Sequence, residues 1–167
     1  IPSRNVHPLE GLVVSVTQFH AGNTYNVIPE TAMINGTIRA LGDETRKLAE
    51  QRLRSMIEMV TQMAGATYEL DFRIGYPVTV NDGGATQKAI EAARLVAGDA
   101  GVNPQVRATL GGEDFAYMLN ARPGAYIFMG NGDTAGLHHP AYDFNDEAIP
   151  HGASYWAKLV ESLMPAS

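Results

Sequence analysis

The sequence contains no cysteine. That excludes a disulfide framework and a thiolate-ligated zinc site. Lysine and arginine form no cluster, and the net charge is −6, which argues against nucleic acid and anionic membrane surfaces as partners. No apolar run approaches the roughly 18–20 residues needed to span a bilayer. No secretory leader pattern is present, so cytoplasm is the expected compartment. Internal repeats and low-complexity tracts are missing. The glycine-rich segment GNGDTAG (Gly130–Gly136) lacks GxGxxG spacing, so a nucleotide reading fails. Asn35-Gly36-Thr37 fits the glycosylation sequon but falls in an expected strand and is read as chance.

What is present suffices for a core. Apolar residues make up 45% of 167, enough for one average domain or two small ones. Ile1 is not an initiator Met, and IPSRNVHPLEG reads as the tail of a preceding element, so the natural chain is expected to begin further upstream. Leu12–His20 is rich in β-branched residues and predicts a strand. Thr31–Leu41 alternates, with Ala32, Ile34, Ile38 and Ala40 on one face and Asn35, Thr37 and Arg39 on the other. Asp43 offers an N-cap to a helix running to about Ala64, with a stripe of Leu53, Met56, Ile57, Val60, Met63 and Ala64 facing inward and Gly65 as the stop. Tyr68–Tyr76 alternates again and predicts a third strand. The expectation is an antiparallel sheet covered by one helix, a βαββαβ sandwich without its first strand and helix.

Tyr76–Gly84 (YPVTVNDGG) has no periodicity and marks the best boundary. Beyond it the pattern predicts a helix over Thr86–Ala97 stopped by Gly98, a short helix in EDFAYMLN, and a closing helix over His151–Met164. Ala89, Ile90, Ala93, Val96 and Ala97 should face inward on the first of these, and Tyr155, Trp156, Leu159, Val160 and Leu163 on the last. VRATLGG reads as strand or loop. The apolar run AYIFMG predicts a strand buried on both faces. These pieces suggest part of an α/β sandwich with too few strands for a sheet of its own.

Few residues here carry chemistry. His138 stands in a loop, after glycine-rich chain and close to Pro140, where an imidazole can reach a metal; a loop histidine is more often plain surface. The five histidines are scattered, without HxH, HxD or HExxH spacing, so the chain supplies a corner of a metal site rather than a whole one. In LGGEDF, Gly111 and Gly112 open a short helix expected to begin at Glu113, where exposed amides suit a carboxylate or oxyanion; an ordinary loop-to-helix junction explains the same residues. Arg39, on the polar strand face, can hold a carboxylate bidentately or simply be solvated. Asn26 can bond a ligand or cap a turn.

Four ordered segments, NVIPETAMINGTIRAL, GGEDFAYML, PGAYIFMGNG and LHHPAYDFNDEAIPHGASYW, together resemble the amidohydrolase branch of the dinuclear-metal aminoacylase/carboxypeptidase family, which includes hippurate hydrolases and hydrolases of indole-acetyl amino acid conjugates. The resemblance spans essentially the whole chain. It implies a fold in two parts: residues 1–77 as an α+β lid or dimerisation domain, and residues 78–167 as the C-terminal part of an α/β metal-binding catalytic domain. It implies His138 as the last metal ligand, with Asn26 and Arg39 reaching the substrate carboxylate and Gly111 and Gly112 lining the substrate pocket. His20 falls where this branch varies. In the family the other metal ligands and the general-base Glu precede the lid, and their motifs do not occur in this sequence.

The implied activity is hydrolysis of N-acyl amino acids with two divalent metal ions (Zn, Mn, Co or Ni), in a homodimer formed through the lid. No catalytic residue is expected in this chain, which should be inactive alone. The alternative is a non-catalytic binding or dimerisation module from the same family; the length of the encoding gene separates the two.

Overall fold

In the computed structural model, which describes residues 1–164, Leu12–Ala21 (β1) and Ala32–Ala40 (β2) pair as an antiparallel hairpin. The register shifts between Val16 and Gln18, which leaves Thr17 as a bulge. The bulge has a sequence reason. Strict alternation from Leu12 would put Gln18 and His20 on the apolar face. With one residue inserted, Phe19 and Ala21 instead pair with Ile34 and Ala32, and they join Leu12, Val14 and Val16 on one continuous apolar face. Gln18 moves to the polar face, where Asn35 Nδ2 donates to its Oε1 at 2.7 Å. Gly36 lies opposite the bulge. A Cβ there would sit 2.3 Å from the Ser15 carbonyl oxygen, so only glycine fits.

Pro2–Asn5 (α1) is a single helical turn before β1, and Asp43–Met63 (α2) packs on β2. Its N-cap is Gly42 rather than Asp43, which occupies the first helical turn with Glu44 and acts there through the helix dipole. The helix ends in a Schellman motif: Gly65 N–H donates to Gln62 O, Ala66 N–H donates to Thr61 O, and Gly65 takes φ +65°. Its buried residues are Thr45 and Ala49; Leu53 and Ile57 are half-buried, while Met56, Val60 and Met63 are exposed. The inward stripe therefore lies nearer the helix start than its apolar pattern suggests. The same end of the hairpin is covered. Leu12, Val14, Ile38 and Ala40 are half-buried, whereas Val16, Phe19 and Ile34 are 60–70% exposed.

The third expected strand is not formed. Residues 66–80 carry no helix or strand, and among the described residues the only sheet is the two-stranded one. Alternation specifies which side chains share a face, but a strand also needs a neighbour to take its backbone groups. Part of the expected pattern survives in the packing: Leu70 and Phe72 are half-buried, and the Arg54 guanidinium lies 5.7 Å over the Phe72 ring.

The chain divides into two compact units, Ile1–Val78 with Ala108–Glu113, and Thr79–Arg107 with the chain from Asp114 onward. In the second, Gly83–Ala97 (α3) starts three residues earlier than expected because Asp82 caps it, its Oδ1 accepting from Ala85 N–H at 2.8 Å. Gly98, at φ +69°, ends it. Phe115–Ala121 (α4) begins after Asp114, not at Glu113. Ala148–Leu163 (α5) packs on α3. Ala89 and Ala92 meet Tyr155, with Ala93, Ala125 and Leu159 around them. Trp156, Val160 and Leu163, expected inside, are exposed.

The run AYIFMG is not a strand. A side chain takes the place of its ladder: Asn81 Nδ2 donates to Tyr126 O at 2.8 Å, and Asn81 Oδ1 accepts from Tyr126 N–H at 2.8 Å. Beside these, Asp82 N–H donates to Gly124 O at 2.9 Å.

Among the described residues the buried apolar ones are Ala49, Ala89, Ala92, Ala116, Ala148 and Tyr155, and no large side chain is fully buried.

Candidate functional site

Arg39, Gly111 and Gly112 fall in the first unit and His138 in the second, while Asn26, also in the first unit, stands apart from Arg39. Arg39 carries the first cluster. It lies on the polar face of β2, opposite the apolar face that α2 covers, and its Nη1 donates to the Leu110 carbonyl at 2.9 Å. Leu110 precedes Gly111 and Gly112 in the segment Ala108–Glu113, which belongs to the first unit although both of its flanks belong to the second. Gly112 lies against Tyr76; a Cβ at this position would be 3.2 Å from the ring. Arg39, the two glycines and Tyr76 are thus brought together. The remaining guanidinium N–H groups make no hydrogen bond among the described residues and can still take a planar acceptor such as a carboxylate.

With α4 starting at Phe115, the glycines do not open the helix directly. Asn26 lies in the exposed loop between β1 and β2, where its Oδ1 accepts from Thr24 Oγ1 at 3.0 Å, a turn-capping bond. No hydrogen bond joins it to Arg39, which lies about 23 Å along β2 from the end where that loop attaches.

His138 carries the second cluster. It is the one non-glycine residue at positive φ among the described residues, at +66°. Two consecutive turns explain this. His139 N–H donates to Gly136 O at 3.1 Å, which places His138 third in a four-residue turn, the position that needs φ > 0 in a type II turn. Tyr142 N–H then donates to His139 O at 2.9 Å, with Pro140 pre-set for the second position of that turn.

The two adjacent histidines are unlike. His139 is used internally, its Nδ1 accepting from Ala141 N–H at 3.0 Å. His138 is exposed and its ring makes no hydrogen bond among the described residues, so either nitrogen is available as a donor atom to a metal. His7 resembles His139 in that its Nδ1 accepts from Leu9 N–H at 3.3 Å. His20 lies on β1 opposite Met33, and His151 on α5; both are exposed.

Among the described residues no three His, Asp or Glu side chains group closely enough to hold a metal ion. A single open imidazole such as that of His138 does not make a metal site by itself. The sequence also left unread the residue that closes the His138 loop. Asn131 Nδ2 donates to Asp143 O at 2.8 Å, and its Oδ1 accepts from Asn145 N–H at 2.8 Å. The available signal was a pair of asparagines flanking the loop, in GNGD and DFND.

Residues 6–162 match peptidase family M20/M25/M40. The chain belongs to this family. It is 35% identical over 159 residues to the hippurate hydrolase of Campylobacter jejuni, covering 95% of this chain and 42% of that protein. It is 35% identical to an N-acetylcysteine deacetylase of Bacillus subtilis, over 95% of this chain and 41% of that one. The crystal structure of the Bacillus subtilis YXEP protein, a dinuclear metal binding peptidase from the M20 family, matches with a TM-score of 0.77 and 32% identity, over 93% of this chain and 43% of that one. The chain thus spans about two fifths of the length of these M20 relatives. No described helix is long and apolar enough to cross a membrane.

Proposed function

We propose that this chain is the substrate-grasping part of a metal-dependent amidohydrolase that cleaves the amide bond of N-acyl amino acids, and that it contributes one metal ligand, His138. Hippurate hydrolase and N-acetylcysteine deacetylase, by name, both release an acyl group from an amino acid, and they support this substrate class. The observation that carries the ligand role is the contrast between His138, exposed with a free ring and left-handed backbone, and His139, whose ring is consumed by the loop. A non-glycine residue at such a φ costs roughly 1–3 kcal/mol, and such strain gathers at functional sites.

Two divalent ions (Zn, Mn, Co or Ni), when bound, would acidify the attacking water. The other ligands and the general base belong to a part of the protein outside these residues, and no catalytic step is assigned to this chain. Its own residues bind and orient. Arg39, with one donor fastened to Leu110 and the rest free, takes the carboxylate of the amino-acid half. Asn26 supplies a second polar contact to that carboxylate, and its distance along the hairpin from Arg39 fits delivery to the site of a partner copy. Gly111 and Gly112 let substrate approach the backbone. Residues 1–77 act as the lid and the homodimer contact, residues 78–167 as the end of the metal domain, and the enzyme works in the cytoplasm.

Metal analysis of the enzyme that carries this chain tests the reading. His138→Ala should lower metal content and abolish turnover with the fold kept, and His139→Ala should retain the metal. Full metal occupancy in His138→Ala would refute the ligand role.

A further inference from the structure

We infer that Asn131 is the positioning residue for His138, closing the loop that carries it; this rests on the reading of His138 as a metal ligand. The loop, residues 132–144, leaves and returns at this one side chain. Asn131 Nδ2 donates to Asp143 O and its Oδ1 accepts from Asn145 N–H, both at 2.8 Å. The carboxamide thus makes, at the neck of the loop, the donor-and-acceptor pair that a neighbouring strand would otherwise provide. Thr134 Oγ1 also faces Asp143 O, but at 3.5 Å it is too long to hold the neck.

The neck is tied to the body of the second unit. Asn145 Oδ1 accepts from Glu147 N–H at 3.0 Å, and Asn145 O accepts from Ala148 N–H at 2.9 Å. Ala148 is buried and begins α5, which packs on α3. The position of the returning strand of the loop is therefore referenced to the core through Asn145, and that of the outgoing strand through Asn131. Apolar anchoring cannot substitute, because Leu137, Tyr142 and Phe144 are 76%, 36% and 47% exposed. Within the loop only the two turns around His139 fix the backbone, and they hold His138 in its left-handed conformation. Removing the neck leaves those turns with no fixed reference, and the imidazole loses its place before it loses its chemistry. Only an amide serves both bonds: aspartate keeps the acceptor and loses the donor, and alanine loses both.

The test uses Asn131→Ala and Asn131→Asp. In this chain, Asn131→Ala should speed amide hydrogen exchange at His139, Ala141 and Tyr142 by about tenfold or more, with Ala92 and Tyr155 unchanged. Asn131→Asp should fall between, and it serves alone if the alanine variant fails to fold. In the enzyme that carries the chain, Asn131→Ala should weaken zinc binding, titrated against a chelator, by about 10–100-fold, as loss of an outer-shell partner does. Unchanged exchange in the loop overturns the inference. A loss of zinc affinity in His138→Ala without one in Asn131→Ala overturns the positioning role alone, whereas unchanged affinity in His138→Ala overturns the ligand reading beneath it.

Discussion

Replacing Asn81 by alanine should destabilise the second unit although Asn81 is exposed. Its side chain makes two hydrogen bonds to the backbone of Tyr126, both at 2.8 Å. They hold the segment that presents Ala125 to the cluster of Ala89, Ala92 and Tyr155. A net contribution of about 0.5–1.5 kcal/mol per bond, taken toward its lower half because water can replace both partners, gives a loss of about 1–2 kcal/mol. For a chain of this size that corresponds to a fall in Tm of roughly 3–6 °C. The assay has a built-in reporter. Trp156, the only tryptophan, lies in α5 with its ring 5.2 Å from that of Tyr155, so near-UV circular dichroism and fluorescence follow this unit. Asn81→Asp should be no better than Asn81→Ala. It keeps an acceptor for Tyr126 N–H but turns a carboxylate oxygen toward Tyr126 O. Asp82→Ala, which removes the cap of α3, is the positive control at about 1 kcal/mol. A shift below about 1 °C in Asn81→Ala, in a protein where the control shifts normally, would refute the view that this side chain stands in for a strand.

Burial raises the Tyr155 phenol above its ordinary 10, so the folded state holds that proton more tightly than the unfolded state. Its contribution is full below pH 10 and is lost as pH rises through the folded value; urea midpoints between pH 8 and 11 should fall less steeply in Tyr155→Phe than in the parent. Gly36→Ala should weaken the hairpin by about 1–3 kcal/mol, because its Cβ would meet the Ser15 carbonyl oxygen, and faster exchange of the β1 amides would report it. The 167-residue chain alone should hydrolyse no hippurate-like substrate; turnover by mass-verified protein, lost on chelation, would contradict this.

The sequence was most readable where structure is local. β1, β2 and α2 follow from periodicity and from Gly65, whose left-handed stop depends only on the preceding turn. Reading failed where an element depends on a distant partner. Tyr68–Tyr76 and AYIFMG have strand composition, but a ladder needs a second segment, and side-chain pattern cannot supply one. The bulge at Thr17 was hidden for the opposite reason, since it appears only when the faces of two strands are matched. At the candidate site, His138 was visible as a loop histidine two residues before a proline. Its left-handed backbone, the capture of His139 by Ala141 and the closure by Asn131 were not, because each depends on how the loop returns. The Arg39–Leu110 bond joins positions 71 residues apart and has no sequence signature.

The alanine interior has a consequence for how this chain tolerates change. In most proteins a substitution map is most sensitive at leucine, isoleucine and phenylalanine, which fill the centre. Among the described residues Ala49, Ala92 and Ala116 are the most enclosed apolar ones, and the large ones, Tyr155 apart, lie at the margins. Sensitivity should therefore run against side-chain size. Truncating Phe19 or Ile34 removes little that is packed, while adding two methyl groups at Ala92 asks two helices to move apart. A procedure that improves proteins by making interiors larger and more hydrophobic would choose these alanines first and would damage the fold at each of them.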